Sequence, residues 1–345
     1  MLSPTRARLA ALGVLVAAAA APAHGDVTGL YDPADLEKQA PRLRTAVTRI
    51  YDVGVKPFLT PDERKKLGEF DLRFPLPSGN DAPLDFYADQ DGGKPIVVMP
   101  VVSLRLLEDM ATAYAWLHRK GMSLGAIELY FSMLRHKPRA NFPSGRYPPI
   151  LATLGIPDDA LDDKLVDENA LAFRNQAFAF ILVHELGHVL YRHRGYAEIT
   201  KAEARADEAA SDRFALDVLS RTQTPPLGAL FFFQAQLYNL PHRGEFPDRR
   251  AWEQYLLKSS THPLTVDRIS AMADYIDGPL ARGRVKETAL WRSIAVDLRK
   301  IVRTMEDESL QRCMAQVAAT ADLSLLRPRR DAPWLQYVRL CQTRR

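Results

Sequence analysis

Between Gln176 and Arg192 the chain carries only three strongly polar side chains, His184, Glu185 and His188, in the run Phe178-Ala179-Phe180-Ile181-Leu182-Val183-His184-Glu185-Leu186-Gly187-His188-Val189-Leu190. Histidines at i and i+4 stand one above the other on a helix, so His184 and His188 can aim a ring nitrogen at the same ion. Glu185 is turned about 100° away, close to that ion but outside its ligands, where it can take a proton from water. A helix that is apolar nearly all round is buried, which removes these three side chains from water. A bound cation offsets that desolvation. The spacing HExxH also arises by chance, usually on exposed helices, and the apolar surroundings argue against that origin here.

A catalytic zinc site needs a third protein ligand and one open position. The segment Thr200-Lys201-Ala202-Glu203-Ala204-Arg205-Ala206-Asp207-Glu208-Ala209-Ala210-Ser211-Asp212 supplies the candidates. Thr200 and Glu203 match a capping box, which gives Glu203 a structural task. On a helical wheel Glu208 and Asp212 share a face with Ala215, Leu216 and Leu219, whereas Glu203 and Asp207 lie with Asp217. Carboxylates on an apolar face require a partner. His184, His188 and Glu208 are therefore expected to hold one Zn2+ per chain, with Glu203 as the alternative third ligand. Asp212, one turn beyond Glu208, can accept the free ring N–H of His184 and fix its tautomer. The alternative for Asp212 is a pair with a basic residue one turn away.

These residues require a helical scaffold. Patterned helices are expected at Ser103–Lys120, with Leu104, Leu107, Met110, Tyr114 and Leu117 inward, and at Ala170–Arg194, Thr200–Ser220, Gly228–Leu240, Pro263–Ile276 and Glu287–Met305. Leu84–Tyr87 and Ile96–Met99 flank the turn-rich Asp89-Gln90-Asp91-Gly92-Gly93 and read as a β-hairpin, either strand of which could bind an extended peptide along a free edge. Proline-rich Arg135–Pro157 and acidic Asp158–Glu168 read as a loop or lid. The expected fold is α+β and mainly helical: two antiparallel zinc-binding helices in the core, with a small hairpin or sheet at one edge of the cleft. The expected organisation is a signal peptide over residues 1–25, an N-terminal helical segment over 26–75, with Leu30, Leu36, Leu43, Val47 and Ile50 as its core positions, a peptidase domain over 76–280 and a C-terminal helical extension over 281–345.

Arg6 and Arg8, the apolar Leu9–Ala21 and the small residues at 21–25 match an export signal, and the apolar stretch is shorter than the ~20 residues of a membrane span. A retained anchor is the alternative. The expected location is periplasmic or secreted, with no transmembrane span in the mature chain. An oxidising compartment would let Cys313 and Cys341 pair, two buried thiols being the other possibility. The 345 residues carry a net charge of +4, but no zinc knuckle or aromatic-basic interleaving accompanies it, so nucleic acid is not an expected partner.

HELGH followed by the Asp207–Asp212 segment resembles the Glu-zincin arrangement typified by thermolysin. Glu208-x-x-Ser211-Asp212-x-Phe214-Ala215 and Thr261-His262-Pro263-Leu264-Thr265-Val266-Asp267-Arg268-Ile269 are similar to the corresponding segments of the HtpX-like and CAAX-prenyl-protease-like zinc metallopeptidases. Ser211 stands where that family usually has alanine, and the family's frequent membrane helices are missing. The resemblance implies a zincin-like core, with His262 or Arg268 near the site to stabilise an oxyanion. His262 alternatively caps the metal at rest, or only starts a helix with Pro263. The expected activity is a zinc-dependent endopeptidase of exported or envelope proteins in extended or unfolded form, with Glu185 as general base. The alternative is a periplasmic chaperone or binding protein with a structural or regulatory zinc.

Overall fold

The computed structural model describes residues 29–77, 84–142, 146–195, 198–239, 243–258, 265–323, 327 and 341. The expected signal segment and His262 lie outside these residues. What is described is mainly helical with one three-stranded sheet, an α+β fold.

Its centre is α6 (Lys164–Tyr191), in which every residue from Ala177 to Leu190 is buried. Such a helix must be surrounded, and it packs against α3 (Val101–Arg119), α7 (Lys201–Thr222), α8 (Leu227–Asn239) and the sheet. The inward positions expected of α3, Leu104, Leu107, Met110, Tyr114 and Leu117, are all buried. In α1 (Pro33–Arg49), Asp32 caps the first turn and Leu36, Ala40, Leu43 and Val47 form the apolar stripe that faces α3 and α6. Leu30 is buried too, Ile50 is half-buried, and the short α2 (Pro61–Leu67) follows and packs on α6.

The sheet comprises β1 (Asp71–Arg73), β2 (Tyr87–Asp91) and β3 (Lys94–Val98), in the order β1-β3-β2. β2 and β3 form the expected hairpin, antiparallel with Ala88 opposite Val97, and positive φ at both Gly92 and Gly93 makes the tight turn that glycine alone favours. The strands sit nearer that turn than the sequence pattern indicates, so of Leu84–Tyr87 only Tyr87 belongs to β2. The three-residue β1, which the pattern did not reveal, pairs in parallel with β3. β3 is therefore flanked on both sides, and the expectation that Ile96–Met99 could offer a free edge is corrected.

The expected loop is also shorter than the sequence indicates. α4 (Gly125–His136) and α5 (Ile150–Leu154) occupy its neighbourhood, and α6 begins at Lys164 because Asp163 accepts from Leu165 N–H at 3.1 Å and caps it. Asp167, which looks loop-like in the sequence, is a first-turn acidic residue favoured by the helix dipole, and Glu168 follows it in the same helix. Two short helices follow α8, α9 (Arg249–Lys258) and α10 (Val266–Tyr275). Then α11 (Thr288–Glu306) and α12 (Glu308–Thr320) place Trp291, Ile294, Leu298 and Met314 in the same apolar cluster as Phe178 and Leu182 of α6. Cys313 and Cys341 form a disulfide. No described helix is long and apolar enough to cross a membrane.

Candidate metal centre

The second half of α6 and the first half of α7 run antiparallel, since contacts step from His193–Asp207 through His188–Glu208 to His184–Asp212. They approach closely because α6 carries Gly187 where α7 carries Ser211, and a Cβ added at Gly187 would stand 2.8 Å from the Ser211 Cα. This closeness brings the Glu208 carboxylate to the two rings. His184 Nε2 and His188 Nε2 are 3.2 Å apart, Glu208 Oε2 is 3.5 Å from the first and Oε1 is 3.5 Å from the second. One ligand atom from each of the three lies within 4.8 Å of the others, and all three residues are buried. Tetrahedral zinc with bonds of ~2.0–2.1 Å sets its ligand atoms about 3.3 Å apart, close to the spacing of the two ring nitrogens, while each Glu208 oxygen faces a different ring.

Two further residues organise the triad. His184 turns its Nδ1 to Asp212 Oδ1 at 2.9 Å, which leaves Nε2 unprotonated in the neutral ring and aimed at the shared point. Arg268, in the first turn of α10 where Thr265 Oγ1 accepts from its backbone N–H, reaches both acids. Its Nε and Nη2 donate to Asp212 at 2.7 and 2.9 Å, its Nη1 lies 2.6 Å from Glu208 Oε2, and the guanidinium lies over the Phe233 ring of α8. Arg268 is only 6% exposed. Its three nitrogens are all engaged with the two carboxylates, so the geometry supports a clamp on the ligand shell more than the oxyanion role implied by the resemblance.

The charges of the site favour a cation between the rings and Glu208. Burial drives His184 toward its neutral form, yet its hydrogen bonds to Asp212 and Glu208 outweigh this and hold its pKa above the ordinary imidazole value. Burial likewise raises the Asp212 carboxyl, and the charge and hydrogen bonds of Arg268 together with His184 more than reverse it, leaving the group below its usual carboxylate value. A proton or a metal ion can supply the positive charge that this arrangement attracts.

Glu185, beside His184 on the helix, is 1% exposed. Glu203 is exposed and occupied as expected of a capping residue: its Oε2 accepts from Thr200 N–H at 2.7 Å. Sequence reasoning missed His193, whose Nδ1 is 3.0 Å from His188 Nδ1 and whose Nε2 is 3.3 Å from Asp207 Oδ1. The only available signal was a third histidine five residues after His188. A separate cleft of about 620 Å³, between α1, α3, α5 and the first half of α6, is lined by Tyr31, Arg42, Arg105, Asp109 and Arg174 among others and does not include the triad.

No family model, curated protein or solved structure matches the chain.

Proposed function

We propose that the protein is a zinc-dependent endopeptidase of HtpX-like, zincin type, exported to the periplasm or beyond and acting on extended or unfolded polypeptides. The observation that carries this reading is the convergence of His184, His188 and Glu208 at spacings suited to zinc, with Glu185 one residue from the first ligand. Zinc, when bound, supplies Lewis acidity for attack on a peptide carbonyl at neutral pH. His184, His188 and Glu208 would hold it, with Asp212 keeping His184 in the ligating tautomer and Arg268 holding Glu208 and Asp212 in place. Glu185 takes the proton of the attacking water and returns it to the leaving amine. β2 is the edge strand that packs against α6, and an extended substrate added along it would run past the metal-binding helix.

Exchange of Glu185 for glutamine tests this reading. Glu185→Gln should keep stoichiometric zinc and lose peptide hydrolysis by about 10²–10⁴-fold, whereas His184→Ala should lose the metal. Undiminished hydrolysis by Glu185→Gln would remove the mechanism. A second reading, a chaperone or binding protein with structural zinc, is favoured by the burial of all three ligands, since hydrolysis requires a peptide carbonyl to reach the ion. Holdase activity that persists in Glu185→Gln, with no hydrolysis by the parent protein, would select it.

A further inference from the structure

We infer that His193 and Asp207 form a relay that fixes the ligating tautomer and orientation of His188; the inference rests on the zinc reading above. His188 directs Nε2 to the point shared with His184 and Glu208, so as a neutral ligand it must carry its proton on Nδ1. That atom lies 3.0 Å from His193 Nδ1. Two nitrogens at this distance share a single proton, so His188 donates and His193 accepts. The proton of neutral His193 then sits on Nε2, which faces Asp207 Oδ1 at 3.3 Å. With His188 Nε2 on the ion, only one assignment of protons satisfies all three residues: His188 donates to His193, and His193 donates to Asp207.

The local backbone explains how a residue beyond the helix reaches a ligand within it. Arg192 adopts a left-handed conformation with φ 57° and ends α6. The His193 N–H then returns to the His188 carbonyl at 3.0 Å and the Arg192 N–H to that of Val189 at 3.2 Å, the paired bonds of a Schellman motif. The turn folds the His193 ring edge-on to His188 with centroids 4.9 Å apart, and Tyr191 stacks on it at 5.6 Å. Asp207 precedes Glu208 on α7, so one helix supplies both a ligand and the end of the relay. Each ligating histidine thereby has its own carboxylate: Asp212 touches His184 directly, and Asp207 reaches His188 through an intervening imidazole.

The experiment measures zinc affinity of the full mature chain at fixed neutral pH by competition with a chromophoric chelator. His193→Leu should weaken binding by about 10–100-fold, the usual cost of losing a partner of a ligating histidine. His193→Asn, whose side-chain oxygen can stand near the lost Nδ1, should recover most of that affinity, a rescue that mere space-filling would not produce. Imidazole ¹⁵N spectra of the zinc-loaded parent should show His188 protonated at Nδ1 and His193 at Nε2, and they decide the matter if His193→Leu does not fold. Parental affinity in His193→Leu, equal losses in both variants, or the opposite tautomers would overturn the relay and leave the zinc reading standing. Failure of the parent chain to take up zinc would overturn both.

Discussion

Gly187 and Ser211 meet backbone to backbone, and this contact sets the distance between the two helices that carry His184, His188 and Glu208. A Cβ at position 187 would lie 2.8 Å from the Ser211 Cα and 3.0 Å from its Cβ. Neither atom can move without moving α7. Alanine gains about 1 kcal/mol over glycine in helix propensity, but overpacking against a backbone costs about 1–3 kcal/mol, so the clash wins. Gly187→Ala should lower the melting temperature and weaken zinc uptake together, as measured by calorimetry and metal analysis. A variant of unchanged stability and zinc content would show that the close approach is not needed.

Arg268 bridges Glu208 and Asp212 with a charge that does not depend on pH. Its replacement by leucine leaves two buried carboxylates without their cation, which costs about 3–5 kcal/mol when one partner of a buried ion pair is removed. Zinc bound at Glu208 restores part of the missing positive charge. Arg268→Leu should therefore destabilise the metal-free protein more than the zinc-loaded one in parallel denaturant titrations. Equal losses in the two states would mean that the clamp and the ligand shell are independent.

Asp109 supplies a pH signature remote from the metal centre. It accepts from the Tyr31 hydroxyl at 2.9 Å and pairs with Arg105 at 2.9 Å, in a cluster that also includes Glu108 and Arg42. Burial raises its carboxyl from 3.8 to about 6, against the lowering effect of Arg105. A carboxyl raised on folding binds more protons in the native than in the unfolded chain, so its contribution to stability falls as pH rises from the unfolded to the native value. The loss across that range amounts to about 2–3 kcal/mol. Asp109→Asn cannot titrate. Its stability relative to the parent should grow between about pH 4 and pH 6 and then level off, as read from urea midpoints. A difference that stays flat across that range would contradict the assignment.

The Cys313–Cys341 bond spans 28 residues and fastens the tail to α12, which packs on α4 and α11. A loop of that length corresponds to about 3–4 kcal/mol in the chain-entropy model. Reduction, or replacement of both cysteines by serine, should lower thermal stability while leaving zinc stoichiometry intact. Alkylation of both thiols in unreduced protein would show that the bond does not form.

The grouping of His184, His188 and Glu208 was legible because each sits at a helix position where charge is out of place. The two histidines interrupt an unbroken apolar run, and Glu208 lies on the face occupied by Ala215 and Leu216. The role of His193 was hidden because it depends on a left-handed turn at an arginine, a conformation that no residue type announces at that position. The convergence of Arg268 on two acids of α7 was equally unreadable, since it depends on how α10 docks rather than on local pattern. Among the elements, long periodic helices such as α3 were legible. β1 has three residues and no room for alternation, and the start of α6 was obscured by acids that read as loop but belong to a capped first turn.

The burial of α6 on every side also has a kinetic consequence. Backbone amides of residues 177–190 can meet solvent only when the packing around them is lost, so their hydrogen exchange should proceed through opening of the whole core rather than local fraying.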